Sequence, residues 1–531
     1  MLINYPKEHK DPSGMRAGSL IVEKIKFLIP EFKNNELKKL AYMLGSGNGV
    51  NKEEMVKGIV ERCNLMSGMN MGEPIDMIIG KPVDMNTNNI HHTGKKKNLN
   101  TSNTLHENLY STINVVAVDM GIANFSFSKF NVTLSKKHTS HKSTGDTNGF
   151  QINGNCINEM SAFTKKFDPL DMKHTKTVVY PQLTEWVKYD LTNKYANILN
   201  PNYPDPYYSK KSGKIKTIEK SKTIANSKYI QFNPQTVDKL CDELVKLLFP
   251  MVTSQIIKLK SSMQSLLPRT VVLLEHQRTR TGSSSNVLET VYRNSVIEYV
   301  LFGKLTRLFQ NTEKHGASQI QLSDARKMCD YWVKDTKEMN KKTSKNPRLQ
   351  LCYNIFDSLQ NYDKPVANLK EITKKMGKID INDCGTKTKP QLFSASPNFI
   401  TKHPQLFQNN QNKNKTNKTR FYNALGMTTH DNGTMKDDDL CDSLLHGIAW
   451  IQWFEFYTNL ADMVIKLEKL DVETGEMGKT RGDSVEWKKI QKLPQYQDQV
   501  TRLKNFVVTE WEKHESLLTD LTKINLLPSG V

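Results

Sequence analysis

The sequence lacks any run that approaches the roughly 18 consecutive apolar residues needed to cross a bilayer, so we expect no membrane-spanning segment. Its seven cysteines are scattered without a CxxC pair, which indicates neither a zinc site nor a disulfide framework and fits a reducing compartment. Acidic residues are outnumbered, with 55 Asp and Glu against 75 Lys and Arg.

The resulting net charge of +20 favours a polyanionic partner, because binding to phosphates releases condensed counterions. The plainer explanation is a basic proteome or a solvating surface. Charge alone does not separate DNA, RNA and an anionic membrane surface.

A chain of 531 residues is long enough for several domains, but only 37% of it is hydrophobic. We therefore expect a core of ordinary size with polar insertions instead of three full domains. The predicted organisation is a helical unit at 18–65, a polar linker at 66–112 and one large domain at 113–531. The insertions are placed near 135–155, 201–228 and 402–418.

The first unit shows helical periodicity in three short segments. Residues 20–29 are amphipathic and end at Pro30, and the next apolar stripe ends at Gly45. After a glycine-rich turn, Asn51 can cap a third helix. This arrangement resembles a SAP-type DNA-binding motif, and a plain helical hairpin is the alternative. Its candidate phosphate contacts are Lys38, Lys39, Lys52 and Lys57.

The large domain alternates predicted strands and helices. The apolar runs NVVAVDMG and RTVVLLEHQ predict buried strands that end in Asp119 and Glu275. Residues 123–130 alternate like a neighbouring antiparallel strand, and 183–191 are a candidate third strand. Helices are predicted after Asn233, over 286–309 and in DDDLCDSLLHGIAW, and IQLSDARKMCDYWV predicts a strand followed by a helix.

The acidic residues of these segments occupy unusual positions. Carboxylates at the ends of apolar strands lose hydration unless they are paired, although strand ends that emerge into solvent are the simpler explanation. Asp438, Asp439 and Asp442 then follow within one helix, at spacings that place two carboxylates on one face. Acids in a first turn can merely satisfy the helix dipole. Asp442 lies in the second turn, where capping no longer explains it.

Oxygen ligands without His or Cys suit Mg²⁺ or Mn²⁺. Two such ions about 4 Å apart would activate a water and stabilise the leaving 3′ oxygen in phosphodiester hydrolysis. The acids and the positive charge therefore predict a metal-dependent nuclease with two ions per active site. No small-molecule cofactor is expected.

The order strand–Asp, strand–Glu, helix–DxxD is typical of the ribonuclease H-like class, an α/β fold in which helices flank a mixed sheet. Within it, VVAVDMGIANFSF, LLEHQRTRTGSSSNVLETVYRNSVIEYVLFG and KDDDLCDSLLHGIAW resemble the fungal mitochondrial Holliday-junction resolvases. The resemblance extends discontinuously from about 114 to 455. Some members also carry a SAP-like unit.

This resemblance implies metal-binding catalytic carboxylates at Asp119, Glu275, Asp439 and Asp442. Asp438 stays open as a ligand, because KDDDLCD can be aligned on either neighbour. The family's phosphate-gripping residues match Gln277, Arg278 and Arg280, with Arg293 as a weaker candidate. A solvated strand end is the alternative for these positions.

The family also implies a homodimer, since paired nicks in a four-way DNA junction need two sites related by symmetry. The helices after Asn233 and Asn286 are candidate dimer surfaces, with an internal core as their default. A mitochondrial location follows from the resemblance, although Glu8 and Asp11 make the first residues a weak match to a presequence.

Three other functions stay open. DMGIAN resembles the first phosphate loop of actin- and Hsp70-like ATPases, but we find no second glycine-rich loop after a strand. Another nuclease with this core, such as a ribonuclease H or a transposase-like enzyme, would have the same acids. A basic DNA-packaging protein would use the acids for structure only.

Overall fold

The computed structural model describes twelve segments of the chain. They are residues 17–47, 49–70, 112–138, 175–199, 232–250, 269–276, 289–312, 318–333, 345–360, 391–407, 419–467 and 491–523. The predicted linker beyond residue 70 and the insertion at 201–228 lie outside them. Within the described residues, no helix is both long enough and apolar enough to span a membrane.

Six strands within these residues form one mixed sheet. They are β1 (Thr112–Asp119), β2 (Phe125–His138), β3 (Thr175–Tyr189), β4 (Arg269–Glu275), β5 (Gln319–Ser323) and β6 (Ser394–Ala395). Their order across the sheet is β5-β4-β1-β2-β3-β6. The strands β1, β2 and β3 are antiparallel neighbours, whereas β4 runs parallel to β1 and β5 parallel to β4.

Helices cover both faces of this sheet, so the protein is an α/β protein with a mixed sheet flanked by helices. The longer helices are α1 (Ala17–Leu28), α2 (Asn34–Met43), α3 (Lys52–Asn70), α4 (Pro234–Leu248), α5 (Glu289–Thr312), α6 (Ala325–Trp332), α7 (Lys345–Gln360), α8 (Asp438–Lys466) and α9 (Pro494–Lys523). Short helices occupy Leu191–Lys194, Ala196–Leu199, Pro397–Lys402, Arg420–Ala424 and Thr429–Asn432, and 3-10 turns occupy Ile29–Glu31 and Pro404–Leu406.

The central strands β1 and β4 are buried on both faces, as their continuous apolar runs predict. Val115, Ala117 and Leu273 point into the core beneath α8, and Val116 and Val272 point into a second core beneath α4 and α5. Because side chains alternate along a strand, the odd-numbered residues of β1 all face α8. Asp119 continues that series.

Helix α8 crosses the sheet at close range because Gly447 lies where it meets β2. A Cβ at Gly447 would be 2.6 Å from Cε2 of Phe130 and 3.2 Å from Oγ of Ser128. Such distances leave no room for a methyl group on this face of the helix. The glycine therefore sets how closely α8, and the acids at its start, approach the strands.

We expect Gly447→Ala to lower the free energy of unfolding by about 1–3 kcal/mol, because the added methyl group overpacks a buried contact. The matched control is Gly303→Ala in α5, where an added Cβ meets nothing within 4 Å. That change should instead stabilise the helix by up to about 1 kcal/mol. Urea denaturation of both variants tests the contact, and equal effects would contradict it.

The first three helices share one apolar core with α8 and α9. Gly45 ends α2 with a positive φ of 63°, and a Cβ there would lie 2.3 Å from the ring of Trp453 in α8. The glycine turn is thus pressed onto the helix that also carries the acids. The predicted DNA binding by this unit stays a prediction.

Several element ends differ from the sequence-based expectations. Strand β2 continues to His138, because residues 135–138 pair with 175–178 of β3. The insertion predicted from 402 begins with ordered residues, since Lys402 ends a helix and Leu406 is buried. Helix α3 runs to Asn70, five residues past the predicted unit. Strand β6 and helix α9 were not predicted.

Candidate active site

One row of polar side chains crosses the sheet where the apolar stripes end. Strand pairing continues this row from Ser323 to Glu275, then to Asp119, Ser126 and Lys188. Cross-strand neighbours point to the same face, so all five side chains lie on the side covered by α8. The two strand-end acids are therefore adjacent.

The first turns of α8 are fixed over this row by hydrogen bonds to backbone carbonyls. Ser126 Oγ donates to the Asp439 carbonyl at 2.6 Å, and Trp186 Nε1 donates to the Leu440 carbonyl at 2.9 Å. Ser128 Oγ donates to the Ser443 carbonyl at 2.9 Å. These contacts hold the acidic end of the helix against β2 and β3.

Asp119 and Glu275 form a close carboxyl pair. Partial burial raises the pKa of Asp119 well above its usual range, and the charge of Glu275 and a hydrogen bond shared with it add to this effect. The charges of Asp439 and Asp442 raise the pKa of Asp119 further. Four carboxyl groups thus act on one another here, and Asp438 is not among them. That arrangement favours binding of a proton or a cation.

Asp439 is paired with a lysine that is completely buried. Lys188 Nζ lies 2.7 Å from Oδ2 of Asp439, and the exposed fractions of the two side chains are 0% and 22%. The same ammonium group donates to the carbonyls of Thr434 at 3.3 Å and Lys436 at 3.5 Å. These acceptors satisfy its three N–H groups, which fixes Oδ2 of Asp439 in position.

Asp442 is paired with Arg348, which α7 brings to the opposite side of the cluster. Partial burial raises the pKa of Asp442 to about 7; the Arg348 charge lowers it, and the charges of Glu275 and Asp439 raise it. Arg348 is itself buried. Its guanidinium donates to Oδ1 of Asp442.

The remaining acids of KDDDLCD have other partners. Asp438 Oδ2 pairs with Lys345 at 3.0 Å. Asp437 is buried and accepts hydrogen bonds from the backbone N–H groups of Phe421 and Tyr422 and from the Tyr353 hydroxyl. Asp437 therefore has a structural role, and the geometry favours Asp439 over Asp438 as a member of the cluster.

His446 extends the row of polar contacts to β5. Its Nδ1 lies 2.7 Å from Oγ of Ser323, and its Nε2 is buried without a partner among the described residues. Burial lowers the pKa of His446, so the ring is neutral near pH 7. Our sequence-based predictions missed His446, Lys188, Lys345 and Arg348. The signal available for His446 was its spacing of four residues from Asp442.

The cluster offers oxygen atoms for a hard cation. As the side chains stand, no three His, Cys, Asp or Glu residues within the described ranges enclose one metal position. Lys188 Nζ binds Oδ2 of Asp439 and Arg348 binds Oδ1 of Asp442, so each carboxylate has a second oxygen that can serve a cation. A cation could also offset the repulsion that Asp119 feels from the charge of Glu275. This donor set fits Mg²⁺ or Mn²⁺.

These shifts predict how metal-dependent stability varies with pH. Because the pKa of Asp442 is raised from 3.8 to about 7 in the folded protein, folding retains a proton that the unfolded chain has lost. Metal-free protein should therefore lose stability as the pH rises from about 4 to about 7, and the raised pKa of Asp119 acts in the same direction.

Divalent cations bind the deprotonated acids, so the gain in melting temperature from Mg²⁺ over EDTA should grow between pH 5 and pH 8. Thermal unfolding at a series of pH values measures this gain. Asp442→Asn should flatten the dependence. A gain of equal size at every pH would contradict the assignment.

The predicted DNA contacts are only partly within the described residues. Gln277, Arg278 and Arg280 lie outside them. Arg293 is paired with Glu289 and lies over the Phe232 ring at 5.6 Å, on the opposite face of the sheet from α8. Three of the predicted lysines are exposed, and Lys39 lies 5.8 Å from the Trp511 ring. The exposed lysines are Lys38, Lys52 and Lys57.

Comparisons with known proteins show what this chain is similar to. The chain is 20% identical over 455 residues to "Cruciform cutting endonuclease 1, mitochondrial" of Saccharomyces cerevisiae, a match that covers 84% of this chain and 88% of the relative. No solved structure matches the chain significantly.

The catalytic-domain family described as "Mitochondrial resolvase Ydc2 / RNA splicing MRS1" matches residues 115–460, which contain the whole polar row and the acidic end of α8. The family description and the name of the yeast relative both specify mitochondrial proteins, which confirms the predicted mitochondrial location. Since the match spans well over half of the chain, this protein belongs to the family of mitochondrial resolvase Ydc2 and RNA-splicing MRS1 proteins.

Proposed function

We propose that the protein is a structure-selective endodeoxyribonuclease that resolves four-way DNA junctions by paired symmetric nicks during mitochondrial DNA recombination. The observation that carries this proposal is the convergence of Glu275 and Asp119 from neighbouring parallel strands with Asp439 and Asp442 from one helix. The strand order, with an antiparallel β1–β2–β3 and a parallel β4 and β5, supports a ribonuclease H-like core.

In this proposal Asp119, Glu275, Asp439 and Asp442 hold the metal through oxygen atoms. Two bound divalent ions would supply an activated water and stabilise the leaving 3′ oxygen. Lys188 and Arg348 orient the two helix carboxylates from either side. Asp438, whose carboxylate is taken by Lys345, is left out of the ligand set.

The net charge of +20 supports a DNA partner, and the name of the yeast relative directs the proposal to cruciform DNA. The exposed lysines of α2 and α3 suit backbone contacts by a SAP-like unit. Gln277, Arg278 and Arg280 directly follow the strand that ends in Glu275, so their place in the chain is suited to contacts beside the scissile phosphate. Arg293 is the weakest of these candidates, because Glu289 and Phe232 already hold it.

A homodimer would bring two such sites to opposed strands of one junction. The apolar side of α4 is internal, whereas α5 exposes Tyr292 and Tyr299, at 61% and 62%, seven residues apart on one face. We therefore place the dimer contact on α5.

The double change Tyr292→Asp and Tyr299→Asp should yield a monomer in sedimentation. Tyr180→Asp, at an exposed tyrosine of β3, should leave a dimer, and an unchanged dimer in both would refute this surface.

The decisive experiment offers the purified protein and Mg²⁺ a labelled four-way junction beside linear duplex and an RNA–DNA hybrid. Paired symmetric nicks in the junction alone are expected. Cleavage of the hybrid strand alone would assign the protein to another ribonuclease H-like activity. Equal binding of every DNA without cleavage would favour a packaging protein.

A second candidate is a role in RNA splicing, because the family description names such a protein. This function needs RNA binding but no hydrolysis, so a cation site of four carboxylates would have no chemical role in it. Wild-type protein that binds structured RNA tightly in EDTA and leaves every junction intact would favour this candidate.

A further inference from the structure

A cavity of about 440 Å³ lies between the glycine turn after α2 and the β5 edge of the sheet. Its walls include Gly45, Ser46 and Gly47 of the turn, Arg62 of α3 and Trp453 of α8. Ser323 also lines it, and Ser323 is the neighbour of Glu275 in the strand pairing. Adjacent strands are about 4.8 Å apart, so one end of this cavity begins beside the acidic cluster.

Arg62 is the charged group at the centre of this cavity wall. Its Nε donates to the Leu44 carbonyl at 3.0 Å, and its Nη1 donates to Oε1 of Gln321 at 2.9 Å. Its guanidinium lies 5.4 Å from the centre of the Trp453 ring. No carboxylate pairs with it among the described residues. A guanidinium has five N–H donors, and only two of them have an acceptor within the described ranges.

Gln321, which accepts from Arg62, has no spare capacity on this oxygen, because its Oε1 also accepts from Trp450 at 2.9 Å. Three acids also line the cavity, Glu54, Glu61 and Asp324. Glu54 accepts from the Val50 N–H, Asp324 caps α6, and Glu61 is exposed. None of the three forms an ion pair with Arg62 in the part of the chain that the structure describes.

Arg62 is half-buried, and a guanidinium in such a place without a carboxylate partner gains from a ligand that compensates its charge. Burial lowers the pKa of Arg62 to about 10, which reflects the cost of the uncompensated charge. The ligand that suits a planar fork of N–H donors beside a glycine turn is an oxyanion with several acceptor atoms. A phosphate group has these properties.

We propose that the cavity between the glycine turn and β5 is a phosphate-binding site centred on Arg62. Phosphate binding stands on the geometry of Arg62 alone. That the phosphate belongs to the DNA backbone rests on the proposed function, since the cavity begins one strand away from Glu275. In that case the site holds the substrate strand next to the position of cleavage, and helices α1, α2 and α3 contribute to the DNA-binding surface.

Two variants of the full chain test this site. Arg62→Met removes the charge. Gly47→Glu supplies a carboxylate to the cavity without removing Arg62, and a Cβ at Gly47 meets only Lys327, at 3.6 Å from its Nζ, so the change fits the fold. The control is Arg307→Met, because Arg307 is exposed on α5 on the opposite face of the sheet.

The first arm measures thermal unfolding in inorganic phosphate and in chloride at equal ionic strength. Phosphate should raise the melting temperature of wild type and Arg307→Met above that in chloride, and Arg62→Met and Gly47→Glu should lose this difference. Equal responses of wild type and both cavity variants would overturn the site. If Arg62→Met does not fold, the response of Gly47→Glu decides.

The second arm measures binding of a four-way junction in EDTA, where cleavage plays no part, over a range of salt concentrations. Loss of one phosphate contact should weaken binding about 5- to 10-fold and reduce the magnitude of the salt slope by about one in both cavity variants, and Arg307→Met should match wild type. A response to phosphate with an unchanged salt slope would overturn the DNA assignment in favour of a free phosphate ligand. Because neither arm requires catalysis, failure of the nuclease proposal would not be mistaken for failure of this site.

Discussion

Asp119→Asn should abolish junction cleavage and at the same time stabilise the metal-free protein. Loss of one metal-holding oxygen costs several kcal/mol of transition-state stabilisation, which corresponds to a drop of at least about 10³-fold in the single-turnover rate. The same change removes one of two carboxyl groups that repel each other. Urea denaturation in EDTA at pH 8 should therefore give a gain of about 1 kcal/mol.

Asp190→Asn is the matched control, because Asp190 also follows the end of a strand. Its carboxylate accepts hydrogen bonds from Thr192 and Asn193 and caps the short helix that begins at Leu191. We expect this variant to lose stability and to retain cleavage. If Asp119→Asn behaved in the same way, its carboxylate would be an ordinary strand end, and the candidate site would be wrong.

The main parts of this site could be predicted because they depend on local sequence. Short apolar runs that end in Asp119 and Glu275 predicted two buried strands, and the structure confirms both strands and pairs them in parallel. The spacing of Asp439 and Asp442 predicted one face of a helix, and α8 provides that face. Each of these inferences needed only the periodicity of a single element.

The basic residues of the site could not be predicted in the same way, because each is far in sequence from the acid with which it pairs. Arg348 and Asp442 are 94 positions apart, and Lys188 and Asp439 are 251 apart. Lys188 left one signal, since it follows Trp186 at the two-residue spacing of the buried face of β3. A lysine at such a position requires an acidic partner in the core. The choice of that partner depends on the tertiary fold.

Lys188→Met should destabilise the protein more than any other single change at this site. Removal of a fully buried ammonium group leaves the Asp439 carboxylate and two backbone carbonyls without their donor. Loss of one partner of such a pair costs about 3–5 kcal/mol. Lys345→Met removes the same charge from the more exposed pair with Asp438, where side-chain exposures are 38% and 25%, and should cost less than about 1 kcal/mol.

The double change Lys188→Met with Asp439→Asn separates the unpaired charge from the loss of packing. Because the amide of Asn carries no charge, the double variant should regain much of the stability that Lys188→Met loses, a coupling that a double-mutant cycle measures by urea denaturation. A double variant as unstable as the sum of its single changes would show that Lys188 acts through packing alone. Restored stability without restored cleavage would indicate that Lys188 serves to hold the Asp439 carboxylate for catalysis. The fold alone would not need that carboxylate.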